Sequence, residues 1–293
     1  MCPIQRACPE HLLTFVRTHP VFDFMRDGIA NGKILPCVRK NEIHFYEGGA
    51  RLFRFTSQSI YTDNRYIDGK DGGERRLSVT EQSSSMLGKV RKNAQAHRQT
   101  KLASELAAVH SLFPHFSFAR SAHKPSQLAI VDVEARFGLD PKSEITGSQI
   151  PGRMIDLVFL MPNRLLLFIE AKCMGNADIA STGHAEVEKQ VADCERHISH
   201  ACVLDAFNDS IKAQMALLGK DAALATATGI FCRVPVLLLD PPGKGAIGPR
   251  NTWLPDRLRE ADDWTVDDER PVVIDGRGDK VVAVREFVDK FAG

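Results

Sequence analysis

The sequence contains no apolar run that approaches the ~20 residues a membrane-spanning helix requires, so no transmembrane helix is expected. The stretch Met1 to Phe15 carries Arg6, two prolines and no long apolar block. It lacks the build of a secretory leader, which makes the cytoplasm the expected compartment. Cysteines are scattered: there are seven, at positions 2, 8, 37, 173, 194, 202 and 232, with no Cys-x-x-Cys pair. An odd number at such spacing argues against a disulfide framework and fits reduced thiols. A charge excess is also missing. The net charge is +1, so any affinity for a polyanion must rest on a local patch. Walker A, His-Glu-x-x-His and Gly-x-Ser-x-Gly patterns are absent, as are internal repeats and low-complexity tracts.

What is present is ordinary globular material: 293 residues, 43% hydrophobic and 26% charged. That length suits one large domain or two modest ones. After a short helical start, residues 1–75 read as β-rich, with strand-like runs Glu42 to Tyr46 and Leu52 to Phe55 around the turn signal Gly48-Gly49. The segment Asp68-Gly-Lys-Asp-Gly-Gly73 reads as a linker. It divides the chain into an accessory module, 1–75, and a larger domain, 76–293. A helical segment, roughly Val79 to Phe113, is ended by Pro114. Strand candidates follow at Leu128 to Phe137, Met154 to Met161 and Leu165 to Cys173. A helix is expected over Ala185 to Leu204 and a strand over Val234 to Leu239, stopped by Pro241-Pro242. The tail reads as a strand pair near Val272 to Val284 around Gly276-Arg-Gly278, then an amphipathic helix to Phe291. This order predicts an α/β fold with a mixed sheet flanked by helices.

The informative segment is Met154-Ile-Asp-Leu-Val-Phe-Leu-Met-Pro-Asn-Arg-Leu-Leu-Leu-Phe-Ile-Glu-Ala-Lys172. Both arms are apolar on successive residues, the pattern of strands buried on both faces. Into them the sequence places Asp156, Glu170 and Lys172, and a buried charge persists only where it is paired or binds a metal. Glu170 and Lys172 are two apart and share one face. A two-residue turn at Pro162-Asn163 would set Ile169 opposite Asp156. A three-residue loop, Pro162-Asn-Arg164, sets Glu170 there instead, and proline suits the first central position of a type I turn. Two carboxylates and a backbone carbonyl make a hard oxygen site suited to Mg²⁺, with Mn²⁺ as its natural substitute.

The pattern Asp-x13-Glu-x-Lys on a hairpin resembles the PD-(D/E)XK nuclease superfamily, with Ile155 where the motif's proline usually stands. The resemblance spans about residues 79 to 240 and implies a restriction-endonuclease-like fold: a helix, three antiparallel strands, a helix and a strand. It implies metal binding by Asp156, Glu170 and the carbonyl of Ala171, with Lys172 catalytic. Many members add a glutamate from the first helix, for which Glu105 is the best match and Glu81 or Glu134 the alternatives. Some add a glutamine on the second helix, where Gln190 fits. The activity implied is Mg²⁺-dependent endonucleolytic hydrolysis of DNA in restriction, repair or defence. An RNA substrate, or an inactive nuclease fold that only binds nucleic acid or protein, are the alternatives. Symmetric duplex cleavage would suit a homodimer.

Arg91, Arg98 and Lys101 fall near one face at helical spacing and are candidate phosphate contacts, as is Arg153 just before the first acidic strand. A solvated helix face is the plain alternative for the three. Gly243-Lys-Gly-Ala-Ile-Gly248 matches a dinucleotide fingerprint by spacing, but prolines flank it where a helix must begin. Cys194, His197, His200 and Cys202 resemble zinc ligands, yet Cys202 is turned well away from Cys194 on a helix.

Overall fold

The computed structural model describes residues 2–69, 72–78, 80–100, 105–121, 124, 127–138, 152–173, 186–240, 259–260 and 272–291. Two helices open the chain, α1 (Glu10–Thr18) and α2 (Pro20–Ala30). Proline begins the second, and the His19 ring caps it by accepting from the Val21 N–H at 3.2 Å. An antiparallel meander follows in the order β1 (Ile34–Arg39), β2 (Glu42–Glu47), β3 (Ala50–Phe55), β4 (Ile60–Asp63) and β5 (Glu74–Arg76), with α3 (Asn64–Asp68) before the last strand. The Gly48-Gly49 turn has φ of 54° and 91°, the left-handed pair that a two-residue hairpin on twisted strands needs. A Cβ on Gly49 would lie 3.2 Å from the Ala107 Cα, so this turn also receives a neighbouring helix.

The helical stretch expected over residues 79 to 113 is not one helix among the described residues. It comprises a 3₁₀ turn, Thr80–Gln82, then α4 (Ser84–Thr100) and α5 (Glu105–His110); residues 101–104 lie outside the description. These helices serve different sheets. Leu87, Val90 and Ala94 of α4 are buried with Phe45, Phe53 and Phe55 of the meander. The α5 helix lies against the hairpin of the second sheet.

That second sheet is mixed. Three antiparallel strands, β6 (Ala129–Arg136), β7 (Met154–Leu160) and β8 (Leu165–Cys173), are preceded by the short α6 (Phe118–Ser121). The helices α7 (Glu186–Ile198) and α8 (Ala201–Leu217) follow, so the helix expected over 185–204 is interrupted at Ser199-His200 and a second one continues. A two-residue β9 (Gly229–Ile230) pairs with one end of β8. The order is completed by β10 (Val236–Leu239), parallel to β8, then β11 (Arg259–Glu260) and β12 (Val272–Asp275), giving β11-β12-β10-β8-β7-β6. The second arm of the expected tail hairpin is instead helix: α9 runs Lys280–Phe291. Asp279 decides this, since its carboxylate accepts from the Val281 and Val282 N–H groups at 3.0 and 3.1 Å. An N-terminal cap of this kind outweighs the β-branched run that follows it. Among the described residues no helix is long and apolar enough to cross a membrane.

The two sheets are locked by charge. Asp132, in the middle of β6, is 0% exposed and sits 2.6 Å from Arg6 and 2.6 Å from Arg39. Arg6 also donates to the Val38 carbonyl at 2.7 Å. Burial, followed by the charge of Arg39, pushes the Arg6 guanidinium down to about 10. A further link corrects the expectation of reduced thiols throughout. Cys2 and Cys202 form a disulfide with a Cα separation of 5.8 Å, leaving Cys8, Cys37, Cys173, Cys194 and Cys232 free.

His44 on β2 makes stability pH-dependent. Its ring is nearly buried, 3.0 Å from the Glu42 carboxylate and 3.4 Å from the Tyr46 hydroxyl. Burial pushes its pKa from 6.5 down to about 4, so at neutral pH an uncharged imidazole donates to the ionised Glu42 carboxylate and the contact is not an ion pair. With the folded value below the unfolded one, the unfolded chain takes up the proton first as pH falls. The His44 contribution is whole above pH 6.5 and drains away down to about pH 4. Thermal melts of wild type and His44→Gln between about pH 7 and about pH 4.5 should show a shallower acid decline in the variant. Equal slopes would assign the decline to other groups.

Candidate metal centre

The β7–β8 hairpin closes through three residues. The Met161 N–H donates to the Leu165 carbonyl at 2.9 Å, and the Arg164 N–H to the Met161 carbonyl at 2.9 Å. Arg164 ends the loop at φ 68°, the left-handed position that follows a type I turn in such hairpins. The ladder runs Leu160↔Leu166, Phe159↔Leu167, Val158↔Phe168 and Leu157↔Ile169. The ladder ends there, and the same register carried one step past Leu157↔Ile169 would set Asp156 opposite Glu170. In that register the two carboxylates share a row and a face.

Asp156 is half-buried, and its Oδ2 accepts from the Ala171 N–H at 2.8 Å. Glu170 is 4% exposed and Lys172 6%; the Lys172 Nζ stands 2.8 Å from Glu170 Oε1. On the far side of β8, Val236 and Leu238 of β10 are the register partners of Glu170 and Lys172, so the charged row ends on an apolar wall. On β6, Glu134 lies between Val133 and Ala135, the register partners of Leu157 and Ile155, and is itself not paired in the ladder. Its backbone has φ 49°, and its charge acts on Tyr46 of the first sheet.

The α7 helix covers the pair. The Cys194 thiol is raised first by burial and next by the charge of Glu170, with Asp156 contributing as well. Gln190 lies one turn earlier on the same helix face, with Oε1 buried and unbonded among the described residues. Asp193 of α7 is 1% exposed and takes Nε and Nη2 of Arg153 at 2.9 and 2.7 Å; Arg196 joins it from the next turn. Arg153 also reaches Glu186 at 3.6 Å. Its guanidinium therefore pins α7 to the start of β7.

Of the other residues singled out by sequence, Glu105 is the first residue of α5, the helix packed on β7 and β8. Arg91 directs its fork at Glu47 of β2, with Nε 2.7 Å from Oε2, and so ties α4 to the first sheet. Arg98 lies further along α4, and Lys101 lies outside the described residues, as does the Gly243 to Gly248 segment. The four supposed zinc ligands are dispersed: Cys194 and His197 are buried in α7, while Cys202 is disulfide-bonded. Sequence reading missed Asp132 and Asp193. Each is an acid flanked by apolar residues in a strand or on a buried helix face, the same signal that singled out Asp156.

Among the described residues, no three His, Cys, Asp or Glu side chains gather closely enough to hold a metal ion by themselves. The donor set still fits Mg²⁺. That ion characteristically takes one or two carboxylates and fills its remaining positions with water and substrate phosphate oxygens. An all-protein cage, of the kind structural zinc requires, is not what this row provides. Comparison with protein-family models, with curated proteins and with solved structures finds no match to this chain.

Proposed function

We propose that this chain is a metal-dependent nuclease that hydrolyses phosphodiester bonds in DNA, built on a restriction-endonuclease-like core. The observation that carries this reading is the convergence at the end of the β7–β8 hairpin: Asp156 accepts from the Ala171 N–H, next to Glu170, which is ion-paired with Lys172. The element order supports it: α5, three antiparallel strands, α7, then β10 parallel to β8. Asp156 and Glu170 would hold Mg²⁺ or Mn²⁺ together with the Ala171 carbonyl, and Glu105 is the candidate for a further carboxylate. The chemistry such an ion supplies is charge neutralisation at a phosphodiester and a more acidic water. Lys172 would hold its proton on Nζ and present positive charge where the transition state gathers negative charge. The apolar wall of Val236 and Leu238 limits water on that side and strengthens the interaction.

A second reading has its own support. Glu170 is ion-paired with Lys172, and Asp156 accepts from a backbone N–H, so each acid has an internal partner. A nuclease fold used only to bind nucleic acid or protein would keep such pairs closed. Plasmid nicking separates the two. Cleavage in Mg²⁺ that stops in EDTA and falls about 10²- to 10³-fold in Lys172→Met supports catalysis. Binding without cleavage supports the inactive module, and cleavage that survives both treatments removes the proposed centre. Parallel RNA and single-stranded substrates define the polymer.

A further inference from the structure

At the other end of the hairpin, next to Pro162, lies a second concavity of about 530 Å³. Pro162 lies six positions beyond Asp156 along β7 and its turn, or about 20 Å of strand. The cavity is framed by α6, the segment before β6, the hairpin turn and α9. Arg120, Lys124 and Arg285 enter it from three of these elements, with the Ser117 and Ser121 hydroxyls beneath them. Among the described residues Asp289 is the one acid in the lining. The Arg285 guanidinium lies over the Phe116 ring at 5.6 Å, which holds it toward the opening.

Convergence sets these three cations apart. Many arginines elsewhere are engaged, among them Arg39 with Asp132, Arg54 with Glu42 and Glu74, Arg91 with Glu47 and Arg153 with Asp193. Among the described residues Arg120, Lys124 and Arg285 have no carboxylate within ion-pair distance, and Asp289 has no cation within it. In a chain of net charge +1, three uncommitted cations meet in one concavity holding a single acid. Guanidinium forks and hydroxyl donors are the groups that recognise phosphate oxygens. The volume falls in the range of small-molecule sites, roughly 300–1,000 Å³.

We infer that this cavity binds a phosphate ester of nucleotide size, at a site separate from the acidic row. The phosphate comes from either a free nucleotide or the end of a nucleic-acid strand. The site makes no assumption about catalysis at Asp156.

Calorimetric titration of the full chain in EDTA tests it, with inorganic phosphate, AMP and a 5′-phosphorylated oligothymidylate as probes. Saturable binding of AMP or the oligonucleotide is expected. Arg120→Gln and Arg285→Gln should each weaken it by about tenfold or more, as lost charged hydrogen bonds do. Both positions are exposed, and circular dichroism melts check that the variants remain folded. AMP binding assigns the phosphate to a free nucleotide, and binding of the oligonucleotide alone assigns it to a strand end. Glu170→Gln, which removes the proposed nuclease charge, should leave the AMP titration unchanged, so loss of one site is not mistaken for loss of the other. No saturable binding by any probe overturns the inference, as does a loss in Arg120→Gln and Arg285→Gln no greater than in Arg17→Gln, which lies outside this cavity.

Discussion

Asp132→Ala is expected to lower the free energy of unfolding by about 3–5 kcal/mol, a large share of the roughly 5–15 kcal/mol typical of a domain. The carboxylate has no exposure and balances two guanidinium groups, one of them itself buried. Its removal leaves Arg6 and Arg39 facing each other in a low-dielectric setting with nothing between them. Burial and then the neighbouring Arg39 depress the Arg6 pKa, and Asp132 acts against both. Urea unfolding followed by circular dichroism measures the effect as a fall in midpoint at constant slope. A triple change, Arg6→Met with Arg39→Met and Asp132→Leu, should recover much of the loss, because an apolar trio avoids the desolvation cost. A single-variant loss under about 1 kcal/mol would mean that water reaches these ions.

For the proposed centre the sharpest change is Asp156→Asn. The amide oxygen can still accept from the Ala171 N–H, so the hairpin keeps its bond while the negative charge is lost. We expect Mg²⁺-dependent nicking to fall by about 10³-fold or more, with a melting temperature close to wild type. Lost activity accompanied by collapse of the fold would make Asp156 a structural residue. Undiminished activity would sink the metal-centre reading.

The hairpin register was legible before any coordinates because parity decides it. One residue more or less in the loop sends Glu170 to the opposite face, and Pro162 favours the loop of three. The α/β class and the strands β6, β7, β8 and β10 followed from apolar runs and breakers. The destination of α4 did not, because an amphipathic face announces that something covers it without saying what. Leu87 and Val90 could have faced either sheet, and tertiary packing set them on the first. The ion-paired state of Arg91 and Arg153 was hidden for the same reason, since their partners Glu47 and Asp193 are remote in the chain. The tail helix was legible in part: Asp279 is a good cap, but Gly276-Arg-Gly278 beside four β-branched or small residues reads equally well as a hairpin.

The bond from Arg39 to Asp132 joins positions 93 residues apart, across the two sheets. Neither half is then an exchangeable cassette. A gene fragment encoding only the larger sheet would produce a chain with an orphaned carboxylate at its centre, and a fragment encoding only the smaller one would carry guanidinium groups with no counter-ion. Recombination that swaps one half for that of a distant homologue is tolerated only if the newcomer brings the matching charge, so the two halves are expected to have been inherited together.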